Sequence, residues 1–162
     1  MYFIPQNHSK ITCEIKPVGG IILNTAYNSR LKMEKNYQEL LEEAKKASKN
    51  SYSPFSRFAV GAAVLASSGK IYKGCNVENS SFGLTICAER SAIFKAISEG
   101  EKEVVAVAIY SPNADSCYPC GACRQVMYEF QGDEREIMVI TENFGALEIN
   151  KLSYFLPCGF RI

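Results

Sequence analysis

At 162 residues and 47% hydrophobic content, the chain has the length and apolar fraction for one globular core rather than a disordered polymer. A net charge of +1, with no block of Lys or Arg, argues against a surface built for nucleic acid or for anionic lipid. No apolar run approaches the roughly 20 residues that cross a bilayer, and the start, Met1-Tyr2-Phe3-Ile4-Pro5, lacks the pattern of a secretory leader.

Residues 1–32 hold no helical or strand period and are punctuated by Pro5, Pro17, Gly19 and Gly20. Lys10, Lys16, Arg30 and Lys32 outnumber Glu14 there, and the segment reads as a flexible N-terminal extension or, less simply, a transit peptide. The folded domain is expected over 33–162. From Met33 a helical period sets Tyr37, Leu40, Leu41, Ala44 and Ser48 on one face and charges on the other. Arg57–Ala66 and Ile71–Asn76, either side of Ser67-Ser68-Gly69-Lys70, predict a β-hairpin. A loop through Asn79–Gly83 leads to a helix from Cys87 to Glu99, stopped by Gly100. Glu103–Tyr110 predicts a buried strand, and the loop Ser111–Pro119, a helix Cys120–Phe130 and a strand Glu136–Thr141 follow. The tail, Phe144–Ile162, predicts one short strand and a helical turn near Lys151–Phe155. This order makes a layered α/β domain with helices packed on a mixed sheet.

Seven cysteines without an export signal suggest reduced thiols in a cytoplasmic setting, where close Cys spacing reads as metal binding. The single histidine, His8, falls in the extension, so any metal site or proton transfer elsewhere works without imidazole. Two segments carry chemistry: Cys87-Ala88-Glu89-Arg90 and Pro119-Cys120-Gly121-Ala122-Cys123. Each is expected where a loop meets a helix start, and the helix dipole there favours thiolates. Cys120 and Cys123 share a helical face as a clamp, and Cys87 supplies a third sulfur if the two helix starts converge. Three thiolates on Zn²⁺ keep one tetrahedral position open, as catalytic zinc sites do. Glu89 would then serve as the proton carrier at that position, and Arg90 would hydrogen-bond the sulfurs and offset their excess charge.

Together with the following Arg124-Gln125, these segments strongly resemble the cytidine deaminases of the small, homotetrameric, three-cysteine type, from about Met33 to Phe160. The resemblance implies a three-layer α-β-α sandwich with a mixed five-stranded sheet and one Zn²⁺ per chain. It implies a cytoplasmic enzyme of pyrimidine salvage that hydrolytically deaminates cytidine and 2′-deoxycytidine. It further implies that Asn76 and Glu78, within Gly74-Cys75-Asn76-Val77-Glu78-Asn79, hold the sugar hydroxyls. Phe58 would line the pyrimidine pocket, the backbone N–H of Ala88 would meet the base carbonyl, and Phe160 would reach a neighbouring subunit's site. Relatives acting on deoxycytidylate or polynucleotides usually carry His in place of Cys87, which disfavours those substrates.

Other readings stay open on sequence alone. Cys117, Cys120 and Cys123 form Cys-x₂-Cys-x₂-Cys, which with Cys87 suits a closed zinc site or an iron–sulfur cluster in a binding module. A same-fold deaminase of a nucleoside antibiotic is a third possibility. Phe58 and Phe160 read equally as core aromatics, Asn76 and Glu78 as polar strand ends, and Cys75 and Cys158 as packed residues.

Overall fold

In the computed structural model, which describes residues 36–161, the first helical period forms α1 over 36–48. The extension 1–32 and the expected domain start at Met33 lie outside the described residues. The chain continues through β1 (Gly61–Ala66), β2 (Ile71–Cys75), α2 (Ala88–Ser98), β3 (Val104–Tyr110), α3 (Gly121–Glu129), β4 (Met138–Asn143), β5 (Ala146–Lys151) and α4 (Leu152–Phe155). The strands form one sheet in the order β2-β1-β3-β4-β5. Only β3 and β4 run parallel, because α3 carries the chain back between them; the remaining pairs are antiparallel.

Strand alternation divides the core in two. On one face, Tyr37, Leu40, Leu41 and Ala44 of α1 pack on Ala63, Ala106, Ala108 and Ile140. On the other, Ala88, Ala92, Ile93 and Ala96 of α2, with Cys123 and Met127 of α3, cover Ala62, Val64, Val107, Ile109 and Val139. The result is the expected α-β-α sandwich around a mixed five-stranded sheet. Two glycines set how closely the helices approach. A Cβ at Gly61 would overlap the backbone of Ala44 and Ser48 in α1, and one at Gly74 would overlap that of Ala88 and Ala92 in α2. Gly74 thus seats the first turn of α2 directly on the sheet.

Two strands differ from the sequence reading by two residues or more. The first hairpin strand begins at Gly61, not Arg57. Arg57 has φ 57°, and the N–H groups of Ala59 and Val60 are taken by the side chains of Asn113 and Asn76 at 2.8 Å each, not by a neighbouring strand. Strand β4 begins at Met138, not Glu136, continues past Thr141 to Asn143 and pairs with β5 through a tight turn at Phe144 and Gly145, both at positive φ. Phe at such a position is uncommon, and the turn lacks the usual Asn-Gly signal. Among the described residues no helix is long and apolar enough to cross a membrane.

Candidate active site

Helices α2 and α3 both start with a cysteine in extended backbone conformation, Cys87 (φ −75°, ψ 154°) and Cys120 (φ −69°, ψ 165°). Neither uses its side chain as a cap, so both sulfurs are left to project from the helix starts. The two N-termini meet on the same face of the sheet. Cys87 Sγ lies 3.9 Å from Cys120 Sγ, which lies 3.5 Å from Cys123 Sγ. All three sulfurs fall within 4.8 Å of one another, a set able to hold one metal ion. Zn–S bonds of about 2.3 Å in a tetrahedron separate sulfurs by about 3.8 Å, so the donor set and its spacing fit zinc.

Arg90 lies in the first turn of α2 and its Nη2 donates to Cys87 Sγ at 3.4 Å. Hydrogen bonds from Cys123 and then Arg90 hold the Cys87 thiol well below the ordinary thiol range. Cys123, as donor and buried, is held above it. The Arg90 Nε is buried and makes no hydrogen bond among the described residues.

Glu89 is 4% exposed. Burial is the main cause that pushes its carboxyl up to about 7, with the negative Cys87 adding to it; its own backbone N–H and the Cys123 thiol pull the other way. A carboxyl that faces the sulfurs and titrates near neutrality can both take and return a proton. Cys117 is half-buried, and burial, then the charges of Glu89 and Cys87, push its thiol up to about 11. It stays a neutral thiol and is not one of the three clustered sulfurs, so no four-cysteine set is assembled among the described residues.

Short bridges from Val77 to Tyr52 and to Ile86 lay the 76–79 segment beside the residue that precedes Cys87. Asn76 accepts from Ser51 Oγ at 2.6 Å and from Val60 N at 2.8 Å, and donates to Phe58 O at 2.8 Å. That leaves one amide hydrogen for a ligand. The Glu78 carboxylate accepts from Phe55 N at 2.8 Å and Ser56 N at 3.3 Å, and the Ser56 side chain first, then these amides, keep it below the usual carboxylate range. Glu78 also lines a cleft of about 320 Å³ with Phe55, Ser56, Phe82 and Thr85. Phe58 is half-buried. Ala88 is fully buried, and as the first residue of α2 its N–H has no intrahelical acceptor. Phe160 lies apart: its carbonyl accepts from Gln125 on α3 at 2.9 Å, and its ring is 68% exposed. A larger cleft, about 520 Å³ beside Glu103 and Arg135, sits at the opposite end of α3 and holds none of these groups.

A family model for the cytidine and deoxycytidylate deaminase zinc-binding region matches residues 34–140. The chain belongs to this family. Zinc is the metal of that region, in agreement with the spacing of the three sulfurs. The chain is 43% identical over 123 residues to the cytidine deaminase of Sporosarcina psychrophila, covering 76% of this chain and 90% of the relative. With the cytidine deaminase of Halalkalibacterium halodurans it shares 48% identity over 63% of this chain and 86% of the relative. Among solved structures, the cytidine deaminase of Burkholderia pseudomallei superimposes with a TM-score of 0.70 at 40% identity, covering 76% of this chain and 98% of that one.

One participant was missed by sequence reasoning. Arg124 belongs to the motif by position, but its contacts with Pro119 and Phe155 need α4 in place, and no sequence spacing showed them.

Proposed function

We propose that this chain hydrolytically deaminates cytidine and 2′-deoxycytidine to uridine and 2′-deoxyuridine, releasing ammonia, with one Zn²⁺ held by Cys87, Cys120 and Cys123. The observation that carries the reading is a buried carboxyl, Glu89, placed against Cys87 and Cys123 of a three-sulfur set with the spacing of a zinc site. Buried acids raised towards neutrality cluster at catalytic sites, which favours a catalytic over a purely structural zinc site.

Zinc, when bound, supplies a Lewis acid that makes water nucleophilic at neutral pH. Glu89 accepts one proton from the attacking water and passes it to ring N3 of the base. It takes the remaining hydroxyl proton and delivers it to the exocyclic amine, which leaves as ammonia while C4 becomes a carbonyl. Both protons come from water, so the carboxylate is regenerated at the end of the cycle. Arg90 keeps Cys87 ionised and limits the charge that three thiolates bring to the metal. The free N–H of Ala88 is suited to the base carbonyl, and Phe58 to the face of the ring. Asn76 and Glu78, already fixed by backbone groups, are suited to the sugar hydroxyls. The exposed Phe160 suits a contact with a neighbouring subunit; the reading also takes the enzyme to be a cytoplasmic homotetramer serving pyrimidine salvage.

The test is product analysis on the purified chain with cytidine, 2′-deoxycytidine, deoxycytidylate and a short single-stranded DNA. Uridine from cytidine and 2′-deoxyuridine from 2′-deoxycytidine, each with an equal amount of ammonia, and little product from the phosphorylated substrates, is the expected result. A zinc-loaded protein that releases no ammonia from either nucleoside would overturn it.

A further inference from the structure

Outside the groups used so far, one charged side chain is tied to the metal-binding turn from a distant part of the fold. Arg124 Nε donates to Pro119 O at 2.7 Å, and its Nη1 donates to Phe155 O at 3.1 Å. The same guanidinium stacks over the Phe155 ring, 5.6 Å from its centroid. Pro119 O belongs to the peptide that supplies the nitrogen of Cys120. That peptide is planar, so fixing its carbonyl fixes the direction in which the chain enters Cys120.

The other end of the tie is firm. Helix α4 is pinned to the core by Leu152, 1% exposed, whose N–H also donates to Ile137 O at 2.9 Å. Phe155 packs against the same core cluster that contains Cys123. Cys120 needs such support more than its partners do. Cys123 is fully buried inside α3, and Arg90 bonds Cys87 directly, whereas Cys120 is exposed and lies at the loop junction.

We propose that Arg124 is a positioning residue for Cys120: anchored on α4, its guanidinium fixes the Pro119–Cys120 peptide and thereby the sulfur that completes the three-cysteine set. This rests on the zinc-ligand reading above. A fork with two donors at fixed separation is what spanning two carbonyls requires, and a lysine ammonium, a point donor, meets one of them at most.

The experiment uses the full chain as wild type, Arg124→Met and Arg124→Lys, each loaded with zinc. Zinc release to a chromophoric chelator, the sulfur-to-metal charge-transfer band of the cobalt form, and thermal unfolding are measured in parallel. Loss of outer contacts around a metal ligand typically weakens metal binding about 10–100-fold. Arg124→Met should release zinc faster by about that factor with an altered cobalt band, and Arg124→Lys should fall between it and wild type. Release rates and cobalt bands equal to wild type in the variants that fold would overturn the proposal, however far the melting temperature drops. Should Arg124→Met not fold, the Arg124→Lys measurement decides by the same criterion. A wild-type chain that retains no zinc would instead sink the ligand assignment, and this proposal with it.

Discussion

Cys87 and Cys120, separated by 33 positions in the chain, bring their sulfurs to 3.9 Å because each opens a helix that packs on the same face of the sheet. A metal at that junction ties α2 to α3, so its removal should loosen the fold as well as stop the reaction. Stripping zinc with a chelator is expected to abolish ammonia release and to lower stability by on the order of 3 kcal/mol, the linkage value for a ligand at about a hundred times its Kd. Adding zinc back restores both. Cys120→Ser should resemble the stripped protein even with zinc in the buffer. A stripped protein that melts at the same temperature as the loaded one would show that the sulfurs do not share an ion.

Glu89 acts on protons and not on the metal, which separates its loss from that of a cysteine. Glu89→Gln keeps the shape and removes the titrating oxygen. Loss of a positioned acid–base group lowers turnover by about 10²–10⁴-fold. The expected outcome is that drop in kcat with one zinc per chain retained, measured by uridine formation and metal analysis on the same sample. Zinc loss in this variant would mean that the carboxylate is a ligand. Unchanged kcat would remove Glu89 from the mechanism.

The parts of the site that were legible in the sequence are those where chemistry is local. Cys87-Ala88-Glu89 and Pro119-Cys120-x-x-Cys123 each occupy one turn, and the helix starts they predict fall within a residue of those observed. The α1 period and the apolar run at β3 predicted their elements because burial selects the same residues that periodicity marks. What sequence hid was set by contacts between distant segments. The strand start at Gly61 depends on Asn76 and Asn113 occupying backbone donors that would otherwise extend the ladder. The bond from Arg124 to Phe155 O needs α4 in place, and the β4–β5 turn puts a phenylalanine in the left-handed region. No pattern of period or composition encodes any of the three.

Gly74 and Gly61 make a matched pair for asking how far the site depends on helix seating. Alanine at either position places a Cβ into helix backbone, which cannot rotate away as a side chain would. Overpacking of this kind costs about 1–3 kcal/mol, occasionally more. Gly74→Ala displaces the first turn of α2, which carries Glu89 and follows Cys87, so kcat per folded molecule should fall. Gly61→Ala displaces α1, on the opposite face of the sheet, and should lose comparable stability while keeping kcat within about twofold. Equal loss of kcat in both variants would refute the idea that contact with Gly74 specifically sets the active-site turn.

Glu136 supplies a pH dependence remote from the metal. Its Oε1 accepts from Ser153 N at 2.7 Å in the first turn of α4, and its Oε2 lies 3.4 Å from Lys151 Nζ. The Ser153 hydrogen bonds, chiefly that of the side chain, then Lys151 hold this carboxyl below its ordinary value of 4.5. A carboxyl depressed on folding stabilises the folded state fully above its unfolded value and loses that contribution as pH falls through the lower, folded one. Being partly exposed, it should contribute no more than about 1 kcal/mol, the typical value of a helix-start cap and the upper end for an exposed ion pair. The melting temperature of Glu136→Gln should therefore lie below that of wild type at neutral pH, by a gap that narrows once the pH drops under 4.5. Thermal scans of both proteins across that range check it. A gap that stays constant into strong acid would mean that the amide loses packing or geometry instead of charge.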